Sequence, residues 1–225
     1  MSVKKKVFAI AATMTMVGGL SAAGLLPAAA STPSCYGVGD CYNYYGPDFG
    51  DSFVLDVLRQ GEKVGQPIIQ FRNSGSDPAE DFVYDDEGTV ADFYAAGLVS
   101  ESLTKTYGTD NAFELEYAPY GVDSGLCAGV ATTAGNGTPV ALEACGVSSK
   151  TVWVDDVANN WDGYIPLING SDTNFSHPYV LHYPGNGYPT DMPRPQLNTY
   201  MLQEYANGEV FDHELWAEND NCYDC

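Results

Sequence analysis

The sequence predicts an all-β domain. Short apolar runs that alternate with a period of two recur along the chain, and turns rich in glycine, proline, serine and asparagine separate them. Such alternation is what a strand with one buried face requires, and the turn residues mark where the chain reverses. The pattern is densest between residues 113 and 156. Phe113-Glu-Leu115-Glu-Tyr117 alternates, and Gly121 to Gly125 is a turn. Leu126–Ala131 is a second apolar run, followed by the small polar loop Thr132 to Thr138. Pro139 opens a third run, Val140-Ala-Leu142, and Gly146 to Ser149 forms the next turn. In Thr151–Val154, Val152 and Val154 fall on one face and Trp153 on the other. That makes four strands in about 45 residues.

The ends of the chain bound its class. Lys4-Lys5-Lys6, the apolar stretch Val7 to Leu26 and the small residues Ala28-Ala29-Ala30 read as a signal peptide over residues 1–30, rather than as a membrane anchor. The remaining 31–225 suits a single domain, secreted and extracellular, with Ser34–Phe49 as an irregular arm. No second apolar run is long enough to span a bilayer, so no membrane contact is expected after cleavage. That mature part keeps six basic residues (Arg59, Lys63, Arg72, Lys105, Lys150 and Arg194) against 30 acidic ones, a net charge of −24. A field of that sign repels phosphates, which excludes nucleic acid and anionic lipid as partners. The acidic residues are scattered, as on a solvated surface, and His213-Glu214 reads as a solvent-facing pair. Six cysteines in a secreted chain imply three disulfides.

The order and spacing of Cys127-Ala-Gly-Val130, Asn136-Gly-Thr-Pro139, Cys145 and Trp153 resemble one repeat of the ricin-type β-trefoil lectins. That resemblance implies three four-stranded repeats, at about 42–90, 112–157 and 161–219, with an insertion between repeats one and two. In repeat one, Phe53-Val-Leu-Asp-Val57 and Pro67-Ile-Ile-Gln-Phe71 are strands, Gly65-Gln-Pro67 corresponds to Gly137-Thr-Pro139, and Glu80–Tyr84 closes the unit. Residues Ala91 to Asn111 are the insertion, a short helix or two strand edges. In repeat three the matching segments are Tyr164–Ile168, Tyr179–Tyr183, Tyr200–Tyr205 and Glu214-Leu-Trp216, with Thr190–Gln196 as a proline-rich insert. Phe82, Trp153 and Trp216 are the closing aromatics and belong to the shared core. The resemblance also implies a Cys127–Cys145 disulfide. Cys35, Cys41, Cys222 and Cys225 allow three connectivities, of which one joining the two ends is preferred.

In such lectins a sugar site needs an Asp on the second strand, an aromatic ring after the third, and a nearby amide. A carboxylate and a ring together meet the hydroxyl and the apolar faces of a pyranose. Repeat two has Gly129 and Glu143 at these places, which implies a dead site; repeat three has His182, with Tyr200 or Tyr205 as possible rings. Repeat one keeps Asp56 and Phe71, with Gln70 and Asn73 close by in sequence, and these four are the candidate sugar contacts. No nucleophile elbow, zinc-protease or phosphate-loop motif occurs, so no catalytic residue, cofactor or metal is assigned. His177 and His182 would face opposite sides of a strand, and Cys222-Tyr-Asp-Cys225 lacks a redox context. Asn136-Gly-Thr138 and Asn174-Phe-Ser176 fit the glycosylation pattern, though both also suit plain turns. A non-lectin extracellular interaction or structural role is the alternative, with its protein partner unknown.

Overall fold

Period-two alternation builds twelve strands among the described residues (42–46, 53–75, 77–183, 199–204 and 214–220) of this computed structural model. The first four are β1 (Tyr42–Tyr45), β2 (Phe53–Val57), β3 (Ile68–Arg72) and β4 (Phe82–Thr89). After two short helices, α1 (Val90–Ala95) and α2 (Glu101–Tyr107), come β5 (Asn111–Tyr117), β6 (Leu126–Val130), β7 (Val140–Ala144) and β8 (Val152–Asp155). The last four are β9 (Leu167–Asn169), β10 (Tyr179–His182), β11 (Met201–Glu204) and β12 (Ala217–Asp220).

Six strands form a barrel. β1 pairs with β12 and β4, β4 with β5, β5 with β8, and β8 with β9, all antiparallel. A bridge between Ile165 and Trp216 completes the ring through backbone bonds of 2.8 and 3.0 Å. Closure removes the unpaired edges that an open sheet would expose. The hairpins β2–β3, β6–β7 and β10–β11 meet one another through the bridges Pro67–Ala141, Pro139–Met201 and Ile69–Thr199. Three backbone bonds run round this junction: Leu142 N–H to Gln66 O (2.8 Å), Val140 N–H to Tyr200 O (2.8 Å) and Tyr200 N–H to Ile68 O (3.0 Å). A six-stranded barrel carrying three hairpins about a pseudo-threefold axis is a β-trefoil.

The core confirms the packing role of the closing aromatics. Phe82, Trp153 and Trp216 are buried together with Leu55, Leu142 and Tyr200. Trp153 Nε1 donates to Ala128 O at 2.9 Å, and Trp216 Nε1 donates to Leu181 O at 3.0 Å, equivalent carbonyls in two repeats. Each indole therefore locks a hairpin onto the barrel strand that carries it. The disulfide Cys127–Cys145 ties β6 to the turn after β7. The other four cysteines lie outside the described residues, as do Tyr205, His213 and the insert Thr190–Gln196.

Three expectations need correction. Tyr42–Tyr45, read as part of an irregular arm, is a barrel strand, with Tyr44 buried and stacked on Phe113 at 6.1 Å. Tyrosines favour strands once partners exist, and those partners, β4 and β12, lie far away in sequence. The insertion is two helices. Thr89 caps α1 with a reciprocal box to Asp92, and Ser100 Oγ accepts from Leu103 N–H at 3.1 Å to cap α2. Val90, Phe93 and Leu103 pack on Ala112, Val152, Val154 and Ile168, covering the outer face of β5, β8 and β9. Finally, the acidic residues are not confined to the surface. Eight of those among the described residues are buried, including Glu214 at 0% exposure. Several serve backbone N–H groups that turns leave unpaired. Glu114 accepts from Gly146 N–H (2.9 Å) and the Thr151 hydroxyl; Asp172 accepts from Asn174 N–H (2.7 Å) and Tyr179 N–H (2.8 Å).

Candidate functional site

The register of β2 against β3 brings the first-repeat candidates together. Asp56 lies opposite Ile69, and Val54 opposite Phe71, so Asp56, Ile69 and Phe71 share one face of the hairpin. This face forms the floor of a cleft of about 360 Å³, lined by Asp56, Leu58, Arg59, Gln60, Ile69, Phe71, Asp77 and Ala79. One wall is the turn Leu58–Gln60, where Arg59 (φ 57°) and Gln60 (φ 54°) both adopt left-handed backbone conformations. Two successive non-glycine residues in that region are strained, which a surrounding structure must hold in place. The opposite wall is the turn Pro78–Glu80, capped by Asp77, whose Oδ1 accepts from Ala79 N–H at 3.0 Å. Gln60 Nε2 donates to the same Oδ1 at 2.7 Å and ties the two walls together.

Asp56 is the unusual group here. It is 4% exposed, and none of the described residues gives it a hydrogen bond or an ion pair. Its neighbours are already committed: Asp77 to Gln60 and Ala79, and Glu80 to Ser74 N–H at 2.9 Å. Burial, followed by the negative charges of Asp77 and Glu80, pushes the Asp56 carboxyl up to about 8. Glu80 rises to about 7, again chiefly from burial, against the lowering effect of its Ser74 bonds. Phe71, by contrast, is 48% exposed and presents its ring at the cleft. A carboxyl at the floor of an open cleft, with no bond from any described residue, leaves its oxygens to a ligand's donors.

Of the four candidates from sequence, Asp56 and Phe71 meet and the other two do not. Gln70 alternates to the far side of β3, towards the Tyr200 hydroxyl, and Asn73 spends its side chain on Gly75 N–H at 2.8 Å. The amide at the cleft is instead Gln60, thirteen residues before Asn73 and on the Leu58–Gln60 wall. For the opposite wall a signal was present in Asp77-Pro78, an N-cap followed by a first-turn proline.

The other repeats show why their equivalents fail. A Cβ on Gly129 would lie 2.7 Å from Lys150 O and 2.9 Å from Thr151 Cγ2, so the 150–151 segment fills the space that Asp56 faces in repeat one. Glu143 stands opposite Cys127, in the place of Phe71. In repeat three His182 is 8% exposed, Tyr200 is fully buried in the core, and Gln203 stands opposite Val180 where Phe71 stands opposite Val54. The two histidines belong to no group of converging metal-ligating side chains among the described residues.

These features define a β-trefoil with an open cleft on the first hairpin and a filled equivalent on the second. No family model matches the chain, and no curated relative matches it in sequence. Solved structures do match in shape. The chain is similar to the designed three-fold symmetric protein ThreeFoil, at 15% identity and a TM-score of 0.51, over 79% of this chain and 96% of that one. It is similar to part of a mosquitocidal holotoxin (10% identity, TM-score 0.50, 80% of this chain and 17% of that one). It is also similar to part of 1,3Gal43A, an exo-β-1,3-galactanase from Clostridium thermocellum (13% identity, TM-score 0.50, 79% and 29%). The chain thus spans less than a third of the latter two. At these identities the likeness is one of fold.

Proposed function

We propose that this protein is a secreted, lectin-like carbohydrate-binding protein that takes a sugar unit in the repeat-one cleft and does not turn it over. The observation that carries this reading is Asp56: a carboxyl with 4% exposure and no partner among the described residues, facing a cleft that also displays the Phe71 ring. Asp56 would bond two sugar hydroxyls, Phe71 would stack on the apolar face of the pyranose, and Gln60 would supply the side amide. A cleft of about 360 Å³ suits one to two sugar units at the small end of ligand pockets. Secretion is supported by the segment at residues 4–30 and by a disulfide, a bond that persists in oxidising compartments. No helix among the described residues is long and apolar enough to cross a membrane.

The test is titration of the purified chain against a panel of neutral, amino and acidic oligosaccharides by calorimetry, with Asp56→Ala and Phe71→Ala alongside. Binding by the parent chain that both variants lose is the expected result. No binding across the panel, or binding indifferent to both substitutions, removes this reading.

A further inference from the structure

The repeat-one cleft carries more information than the presence of a site, because its charges select among sugars. Resting on the carbohydrate reading, we infer that the preferred ligand is a saccharide unit bearing a free amino group, whose ammonium sits against Asp56 and Asp77 while its ring lies on Phe71. The geometry comes first. Asp56 and Asp77 line the same cleft, and Glu80 is fully buried next to the wall residue Ala79. Two carboxyl groups therefore face the cleft, and the charge of a third, Glu80, acts on Asp56 from behind the wall. Lys105 pairs with Glu101 on α2, and no lysine or arginine among the described residues forms an ion pair with Asp56, Asp77 or Glu80.

Asp56 is itself more than nine-tenths buried, faces the opening, and has no hydrogen-bond or ion-pair partner among the described residues. In the free protein the place of a counter-ion is taken by a proton, held on Asp56 by burial and by Asp77 and Glu80. An ammonium would replace that proton and offer three N–H donors to oxygens that have room for them. Arg59 lies on the cleft wall but is not among the charges acting on Asp56, so its guanidinium does not fill that role. Phe71 adds a face that attracts both the C–H side of a sugar and an adjacent cation. The net charge of −21 draws cationic saccharides towards the whole molecule and repels anionic ones.

The experiment uses the full chain at pH 7 and low ionic strength. Four probes are titrated by calorimetry: a β-1,4-linked glucosamine tetramer, its fully N-acetylated counterpart, cellotetraose, and Nα-acetyl-lysine methylamide. The glucosamine tetramer is expected to bind at least tenfold more tightly than the other three, about 1.4 kcal/mol. Its advantage over cellotetraose should shrink as salt rises. Asp77→Asn, which keeps the Oδ1 acceptor of the turn, should narrow the ratio of the two dissociation constants. Equal affinity for cellotetraose or the acetylated tetramer overturns the inference and leaves the carbohydrate reading intact. Equal affinity for the lysine derivative overturns it too, since a bare ammonium would then suffice. No binding by any saccharide removes both.

Discussion

If Asp56 is kept for a ligand, the free protein should be more stable without its charge. Asp56→Asn changes the group to a neutral one of the same shape. The unpaired amide replaces an unpaired acid, so those costs nearly cancel, and the difference left is the cost of keeping a proton on Asp56 at neutral pH. The sign follows from linkage: a carboxyl raised from 3.8 to about 8 in the folded state stabilises fully below pH 3.8, and that contribution is lost as pH rises towards 8. At pH 7 about three pH units separate the unfolded value from the solution, which sets a ceiling of about 4 kcal/mol at 1.36 kcal/mol per unit. The cleft admits water to one side of the group, so about half of that, roughly 2 kcal/mol, is the expected gain. For a chain of this size that is a rise in Tm of about 4–8 °C. Thermal unfolding followed by circular dichroism at pH 7 and pH 4 measures it. The gain should be present at pH 7 and absent at pH 4, while oligosaccharide binding is lost at both. A variant that is less stable at pH 7 would show that Asp56 is a structural carboxyl, and the argument for a ligand site would fail with it.

The parent protein should be more stable at pH 5 than at pH 8, because Asp56, Glu80, Glu114 and Asp172 are all raised by burial and each loses its contribution as pH climbs through its folded value. A pH series of urea midpoints reads this out, and a midpoint that climbs with pH would contradict it. Gly129→Ala should cost about 1–3 kcal/mol, since its Cβ would stand 2.7 Å from the Lys150 carbonyl; a neutral effect would mean that the 150–151 segment yields easily. Replacing Cys127 and Cys145 together by serine should cost about 3 kcal/mol for an 18-residue separation, measured as the drop in denaturation midpoint against the oxidised parent. Trp153→Phe removes the bond to the buried Ala128 carbonyl and part of the ring volume, with about 2 kcal/mol expected from the same assay and no change in sugar binding.

Much of the architecture was legible because the trefoil repeats short local signals. Val140-Ala-Leu142 and Thr151–Val154 carry their strand character in the alternation itself, and Cys127, Cys145 and Trp153 fix the register of a whole repeat. Tyr42–Tyr45 was not legible, since its pairing with β12 joins residues more than 170 positions apart, and the glycines around it mimic a loop. The helices of the insertion were equally ambiguous: Val90–Ala95 is too short to establish a helical period, and its Thr89–Asp92 capping box is the one local cue. At the site, Asp56 and Phe71 could be found by strand alternation, which places them two steps apart on one face. Gln60 could not, because a turn brings it in and turn geometry is not periodic, while Asp77 left only the cap signal of Asp77-Pro78.

The three hairpins also bear on why one cleft is open. All three share the backbone junction at residues 66–68, 138–142 and 199–202, so the fold itself asks nothing of the position held by Asp56, Gly129 and His182. Where the chain needs no site, it fills the space: the Lys150 carbonyl packs onto Gly129, and the missing side chain lets it approach. Repeat one does the opposite. It keeps a buried acid with no bond from any described residue, acted on by two further carboxyls, beside two residues in left-handed backbone conformations. Each of those features costs stability, and the neighbouring repeats show that the same scaffold folds without them. The proposed sugar ligand accounts for costs gathered on this hairpin, since it would relieve them, whereas the filled second hairpin shows that the barrel does not require them.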